Sequence, residues 1–464
     1  FLLQNEYRQI FKNSYTLSDF GFLVGEGGTK GHFFYNQIGK LSDRRDYEIN
    51  IERVRGDNYL KNYNLKSSSK LITNDNVLKS RIDLDQNFSD SKLKTSFKVF
   101  EDLSKNKNDR YQYIFPKYDF VKNIKIPDNY NGNFTFSTSG YNKNYNTNMH
   151  DSVLSNTFHF NSDDFVSAKG MVTHYDLVLE NINSYSNNSS NFEKNANYTL
   201  FETFKLDFSL PLIKKMENNN NYLKPKASFR YSPNGNIDMS SQDTVIDYNN
   251  AFSLNRIGSN EGGEALTLGL EFEKFNNEMG EIFSARVGNI LKPYKDAKMP
   301  SKSKLDQTRS DIFGDLNYKI SKNLKLGYSF SYDRDLDFSN LDSLNLDASI
   351  NNLFTNFNYY TENNDFGDEE TLRNKTRYKI DNNTNLIFTT AKDLKDDFTE
   401  YYNLAFEYIT DCISINLNYN KTFYSDGNLE PDNTLSFLIK IIPFTEFGVP
   451  NVGNVINRSS NVIN

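Results

Sequence analysis

The sequence predicts an all-β fold, a large antiparallel transmembrane β-barrel of about two dozen strands. Three observations carry this. Large apolar side chains recur at every second position through most of the 464 residues, the period of an extended strand with one apolar face. The connections between such stretches alternate between very short and long. The composition suits a sheet that is apolar on one side only: 37% of residues are hydrophobic and mean hydropathy is negative, yet 30 Tyr and 38 Phe bring aromatics to 15%. Disordered chains lack both the aromatics and the periodicity.

The pattern is clearest from Phe398 to Phe447. Leu404, Phe406 and Tyr408 share one face of a strand; Ile413, Ile415, Leu417 and Tyr419 alternate with Cys412, Ser414, Asn416 and Asn418; Leu435, Phe437, Ile439 and Ile441 alternate with Thr434, Ser436 and Lys440. Thr410-Asp411 joins the first pair, whereas the polar loop Tyr424 to Asp432 joins the second. Upstream the same rhythm holds. Ser321-Lys322 is a short joint and Arg334 to Leu341 a long one; Asp381-Asn382 is short, and the loops at Glu362 to Glu369 and Lys392 to Asp397 are long.

Taken in order from the N-terminus, strands are expected at Phe1 to Phe11, Phe33 to Leu41, Tyr47 to Val54, Leu65 to Ile72, Val77 to Phe88, Leu93 to Phe100 and Tyr111 to Val121. After a polar insert at Asn142 to Asp151 they recur at Thr157 to Phe160, Met171 to Leu179, Phe201 to Leu212 and Leu223 to Tyr231. The stretch Asn234 to Gly263 is the least regular, and Leu266 to Phe272 and Ile282 to Ile290 resume the alternation. Each strand is near the ~9–11 residues that cross a bilayer. Short periplasmic turns and long extracellular loops are the habit of outer-membrane barrels, whose polar face lines a lumen. A soluble sandwich has no need of that alternation, and the bilayer's demand that every backbone group be paired requires closure.

Several chemistries are disfavoured. A charge of -7, with 53 basic and 60 acidic residues interspersed, gives no nucleic-acid footprint. The single cysteine, Cys412, excludes an intrachain disulfide framework and a cysteine zinc site. No apolar run approaches the ~18 residues of a membrane helix, and Phe1 falls inside an alternating pattern, so the N-terminus reads as truncated. Gly25 to Gly31 has the wrong order for a phosphate loop and reads as a hairpin loop. Asp333, Asp335 and Asp337 have calcium-loop spacing, but Phe338 and Leu344 stand where Gly and Glu are required, which leaves a solvated loop. Asp365, Asp368, Glu369 and Glu370 cluster on an outer loop, where weak divalent-cation binding is one reading and plain solvation the commoner one. His32, His150, His159 and His174 show no ligand spacing and no Ser or Cys partner, so neither a metal, a cofactor nor an enzymatic activity is expected.

Three segments carry a resemblance: Tyr408 to Cys412 with the following strand, Leu429 to Phe437, and Phe444 to Gly448. With Leu3 to Arg8, Gly56 to Leu60 and Phe252 to Ile257 they resemble the C-terminal barrel of the LptD family, outer-membrane lipopolysaccharide-assembly proteins also called organic-solvent-tolerance proteins. The resemblance implies a barrel at residues 1–444 whose first strands are missing, and a periplasmic tail at 445–464. It implies a Gram-negative outer-membrane protein that takes lipopolysaccharide from a periplasmic bridge protein and releases it through a lateral seam, with a lipoprotein plugging the lumen. The seam strand would be Thr434, Leu435, Ser436, Phe437, Leu438, Ile439, Lys440, Ile441 and Ile442. The lumen would be lined by Ser414, Asn416, Asn418, Ser329 and Ser331, with Leu404, Phe406, Ile415, Leu417, Leu435 and Phe437 toward lipid. The family also ties a periplasmic domain to a barrel cysteine by a disulfide, a role that would fall to Cys412; a lone packed cysteine is the alternative. An outer-membrane pore or nutrient receptor, and a soluble adhesive β-protein, remain as other readings of the same strands.

Overall fold

Alternating side chains need a sheet with two unlike faces, and the computed structural model provides one. It describes residues 2–441 apart from 26–27, 64, 66–68, 107, 128–129, 190–193, 237, 241, 303, 338, 365–366 and 424–432. The strands are β1 (Leu2–Ile10), β2 (Ser14–Gly25), β3 (Gly28–Ser42) and β4 (Arg45–Arg55), then the one-turn helix α1 (Tyr59–Asn62). There follow β5 (Val77–Asn87), β6 (Ser91–Asp102), β7 (Tyr111–Ile124), β8 (Gly132–Tyr145), β9 (Met149–Ser162), β10 (Phe165–Val166), β11 (Val172–Asn187), β12 (Asn195–Ser209), β13 (Leu212–Lys215) and β14 (Asn219–Ser232). The distal half holds β15 (Gly263–Asn276), β16 (Gly280–Leu291), β17 (Ile312–Ser321), β18 (Leu324–Tyr332), β19 (Ser339–Ile350), β20 (Leu353–Asn364) and β21 (Gly367–Lys379). It ends with β22 (Thr384–Asp393), β23 (Phe398–Ile409), β24 (Ile413–Thr422) and β25 (Asn433–Ile441).

All ladders are antiparallel, and each long strand pairs with the next in the chain. β10 and β13 are two- and four-residue pieces beside β11 and β14, so 23 of the 25 strands build the wall. The two faces differ as the sequence requires. On β15, Leu268 is 42% exposed on the outward side while Thr267 beside it is 2% exposed on the inward side. Outward aromatics pack across strands, as Phe136 does against Phe158, the rings tilted with 4.9 Å between centroids. Such pairs fix the register through packing as well as backbone bonds.

The connections separate by rim. At one rim lie the short turns 11–13, 43–44, 88–90, 277–279, 322–323, 351–352 and 410–412, with longer connections at 163–171 and 210–218; at the other lie the three longest, 56–76, 233–262 and 292–311, beside shorter turns such as 146–148 and 394–397. The second rim is extracellular by the length rule.

Four sequence expectations are corrected. Leu65 to Ile72 is not a strand: it belongs to the 56–76 loop, whose apolar residues are spent against the wall. Ser14 to Gly25 is a strand that the reading missed, because Ser18 and Asp19 interrupt the apolar side chains around Phe20 and Phe22. Asn142 to Asp151 and Glu362 to Glu369 are mostly strand, paired to within a few residues of their turns (Tyr145 with Met149, Glu362 with Glu369). They are polar because the ladders continue beyond the apolar slab into water. The loop Tyr424 to Asp432, Ile442 and the tail 445–464 lie outside the described residues.

The long loops fold inward. Tyr59, Leu60, Leu65 and Ile72 pack with Phe34, Leu78 and Leu103 in one buried cluster. Met239, Ile246, Tyr248, Ala251, Ile257, Met299 and Leu305 pack on Ala265, Ile290 and Phe313 in the other. Each fully buried side chain of this size contributes about 1.5–3 kcal/mol, which holds a loop of otherwise polar sequence against the lumen wall. The base of the second loop closes tightly: Gly262 donates its N–H to Asn236 Oδ1 (2.7 Å), and a Cβ at Gly262 would stand 2.1 Å from the Asn234 carbonyl oxygen. Gly262→Ala is therefore expected to spring the loop base at a cost of about 1–3 kcal/mol. The readout is protease nicking within 233–262 in otherwise intact barrels, and nicking no faster than wild type would contradict this.

Candidate functional site: the seam and the lumen

The two ends of the sheet meet without pairing. Cα atoms of β1 and β25 come within 8 Å of each other, yet among the described residues no ladder joins them. Counted along the antiparallel succession of the described residues, β1 and β25 point the same way. The lack of a neighbour shows in the side chains: Leu435 is 71% and Phe437 64% exposed, against 40% for Leu417 on β24.

Elsewhere the wall is held even where its ladder fails. The β4–β5 ladder stops at Asn50 opposite Arg81. Beyond it, side chains replace the backbone partners. Lys79 N–H donates to Glu52 Oε2 (2.7 Å), Asn50 Nδ2 donates to the Lys79 carbonyl (2.7 Å), and Glu52 N–H donates to Ser80 Oγ (3.0 Å). Beside this gap the 56–76 loop is pinned by His32, whose Nε2 lies 3.1 Å from Asp19 Oδ1 and whose Nδ1 lies 3.4 Å from the Tyr59 hydroxyl. Burial, then the charge of Asp19, pushes the Tyr59 phenol above its ordinary value. Both His32 nitrogens are thus engaged structurally.

The 233–262 loop is latched by a buried ion network. Arg256 grips Glu261 with two parallel hydrogen bonds (2.7 and 2.6 Å) and donates to Thr267 Oγ1 on the wall (3.0 Å). Arg230, from β14, donates to the Ser253 (2.9 Å) and Leu254 carbonyls. Burial alone would raise the Glu261 carboxyl, but Arg256, with help from Arg230 and Lys292, brings it down to about 2. Lys302 ties the neighbouring loop to Asp243 and to Glu362 of β20. Burial pushes the Asp311 carboxyl up, although Asn340 (2.7 Å) and Ser331 (3.0 Å) donate to it.

The register places Ser414, Asn416 and Asn418 of β24 on the inward face, with Asn418 buried and accepting from Asn403 (2.7 Å). Ser329 and Ser331 share the inward side of β18; Ser331 is buried and Ser329 exposed. Leu404, Phe406 and Leu417 are exposed on the outward side; Ile415 lies on that side too. Thr434, Leu435, Ser436, Phe437, Leu438, Ile439, Lys440 and Ile441 form β25, whose outward residues are Leu435, Phe437 and Ile439. Cys412 is half-buried in the short turn 410–412, its N–H donating to Thr410 Oγ1 (3.3 Å), and it is a free thiol.

Of the histidines, His159 and His174 converge on Asp176 (2.8 and 3.7 Å), joined by Asn161 and Lys205, while His150 bonds Asn144. This convergence across β9 and β11 was invisible in sequence spacing. Among the described residues no group of His, Cys, Asp or Glu fits a metal ion. The acidic cluster divides: Asp368 is met by Lys395 (3.1 Å) and Glu370 accepts from the Tyr359 hydroxyl (2.9 Å), while Glu369 falls on the opposite face. Asp365 lies outside the described residues. Sequence reasoning missed the Asn50–Glu52–Ser80 lacing and the Arg256–Glu261 latch. The only available signal was Arg256 within the family-like segment Phe252 to Ile257.

A long antiparallel wall, apolar outside and polar within, its extracellular loops folded into the lumen, defines an outer-membrane β-barrel. The family comparison is more particular: the model of LPS transport system D matches residues 28–391, and the chain belongs to that family. It is thus a lipopolysaccharide-transport protein of the Gram-negative outer membrane. Comparison with curated proteins finds no match. Among solved structures the chain is similar to the siderophore receptor PirA from Pseudomonas aeruginosa, at 9% identity over 94% of this chain and 78% of that one, with a TM-score of 0.48. It is also similar to the alcaligin outer membrane receptor FauA from Bordetella pertussis, at 10% identity over 90% and 72%, with a TM-score of 0.36.

The latch gives a pH dependence. The Glu261 carboxyl is depressed in the folded state, so its contribution is complete above the usual carboxylate pKa of 4.5 and is lost as pH falls through about 2. Urea unfolding in detergent should show the wild type weakening across that window. Glu261→Gln should be weaker by about 3 kcal/mol already at neutral pH, because two arginines lose their counter-charge, and it should lack that part of the acid dependence. Equal stability at pH 7 would refute the latch.

Proposed function

We propose that this barrel routes lipopolysaccharide into the outer leaflet through a lateral seam bordered by β25, by passive transfer and with no covalent chemistry. The observation that carries the reading is β25, which among the described residues has a ladder on its β24 side only and leaves Leu435 and Phe437 the most exposed apolar residues of the wall's last strands. Unsatisfied backbone groups in hydrocarbon cost several kcal/mol each, so this line is where the wall parts most readily. A saccharide travelling in the polar lumen can leave sideways there while acyl chains stay in lipid. A periplasmic bridge protein would supply the glycolipid and a lipoprotein would occupy the lumen below the inward loops.

A photo-reactive residue introduced in turn at Leu435, Phe437 and Ile439 in cells should capture lipopolysaccharide from at least one position. Capture at none of them removes the seam from the route. A nutrient receptor or open pore would instead give conductance on reconstitution that is independent of the seam.

Cys412 sits in the short turn 410–412, and in this reading it would pair with a cysteine of a periplasmic domain. We expect the full-length protein from membrane extracts to migrate differently with and without reductant, and Cys412→Ser to abolish the difference. An unchanged wild-type band means that the thiol simply packs in its turn.

A further inference from the structure

Charges on the inward wall are mostly matched. Arg81 pairs with Glu48 (2.6 Å), Arg286 with Asp315 (3.0 Å) and Lys226 with Glu271 (3.1 Å). β21 breaks the pattern. Arg373, Lys375 and Arg377 alternate along it and all are exposed, while Leu372 and Tyr378, which flank them on the other face, line up with outward Tyr359 and Leu386. The inward side of this strand is fixed independently by Glu362, opposite Glu369, which reaches Lys302 of the loop inside the lumen. Among the described residues none of the three cations has an ion-pair or hydrogen-bond partner.

Their neighbours do not neutralise them. Opposite Arg373 stand Asn358 and Ala391; opposite Lys375, Asn356 and Thr389. In the Lys375 row the first carboxylate is Asp347, two strands away and already accepting from Asn356 (2.8 Å). Residues two apart on a strand are ~7 Å apart, so the three cations make a track of ~13 Å along the wall. Guanidinium groups present a planar fork that matches phosphate and carboxylate, and the unpaired state leaves that fork free.

We propose that Arg373, Lys375 and Arg377 form an anion-binding track that holds phosphate or carboxylate groups on the saccharide of lipopolysaccharide as it crosses the lumen. The proposal rests on the transport route given above and adds its inner contact. A matched inner wall would slide past a polyanion; one unmatched strand gives it a foothold.

The test places a photo-reactive residue at Asn358, beside Arg373, in the full-length protein in cells, with β25 probes as the parallel arm. Lipopolysaccharide should be captured at Asn358, and the triple change Arg373→Gln, Lys375→Gln, Arg377→Gln should reduce that capture about tenfold. The charge-preserving exchange Arg373→Lys, Lys375→Arg, Arg377→Lys should retain it, which separates charge from folding. Capture on β25 with none at Asn358, or equal capture after neutralisation, overturns the track and leaves the seam standing. A cross-linked protein in place of lipopolysaccharide overturns it in favour of an acidic lumenal partner. Capture at neither place overturns the route and the track together.

Discussion

Hydrocarbon offers no partner to a backbone N–H or C=O, and the rest of this structure depends on that constraint. It explains why the chain is one continuous antiparallel ladder rather than several domains. It also explains the β4–β5 gap, where Asn50, Glu52 and Ser80 supply the donors and acceptors that a ladder would have given. A buried carboxylate is costly in a membrane wall unless it is hydrogen-bonded, and Glu52 is bonded by Lys79 N–H and by Asn50. The wall tolerates a missing ladder when side chains repair it. Between β1 and β25 no ladder is present among the described residues.

The lumen obeys a second rule. A wide barrel lined by polar residues leaves room, and the long loops at one rim fill it with two small hydrophobic cores. These cores rest on inward wall residues such as Ala265, Ile290 and Phe34 and are latched by ion networks. Arg256 and Glu261 are both almost wholly buried, and each makes the other tolerable. Such a pair is poor evidence of net stability but strong evidence of position, since only one loop geometry satisfies both charges. The loops are therefore fixed parts of the lumen wall and set the width of any path through it.

The charge pattern on the inward face separates construction from transport. Arg286 with Asp315 and Lys226 with Glu271 stitch neighbouring strands. The β21 cations stitch nothing, because their cross-strand neighbours, Asn358 and Ala391, Asn356 and Thr389, and Phe354 and Ile387, carry no charge.

The sequence by itself determined the class, because period-two patterning survives any register and because short turns recur at every second connection of the distal half. It marked β23 to β25 closely, and the inward side of Asn418 followed from the alternation alone. It failed where pattern and environment part company. Leu65 and Ile72 are apolar residues that serve a loop core rather than a strand, and β2 was lost because Ser18 and Asp19 interrupt its pattern. Only the tertiary structure decided which residues meet across distance: Asp176 with two histidines, Glu52 with the backbone of Lys79, Arg256 with Glu261 under Thr267. Only it showed that β1 and β25 run the same way, since direction depends on counting every strand, and one missed strand reverses the answer.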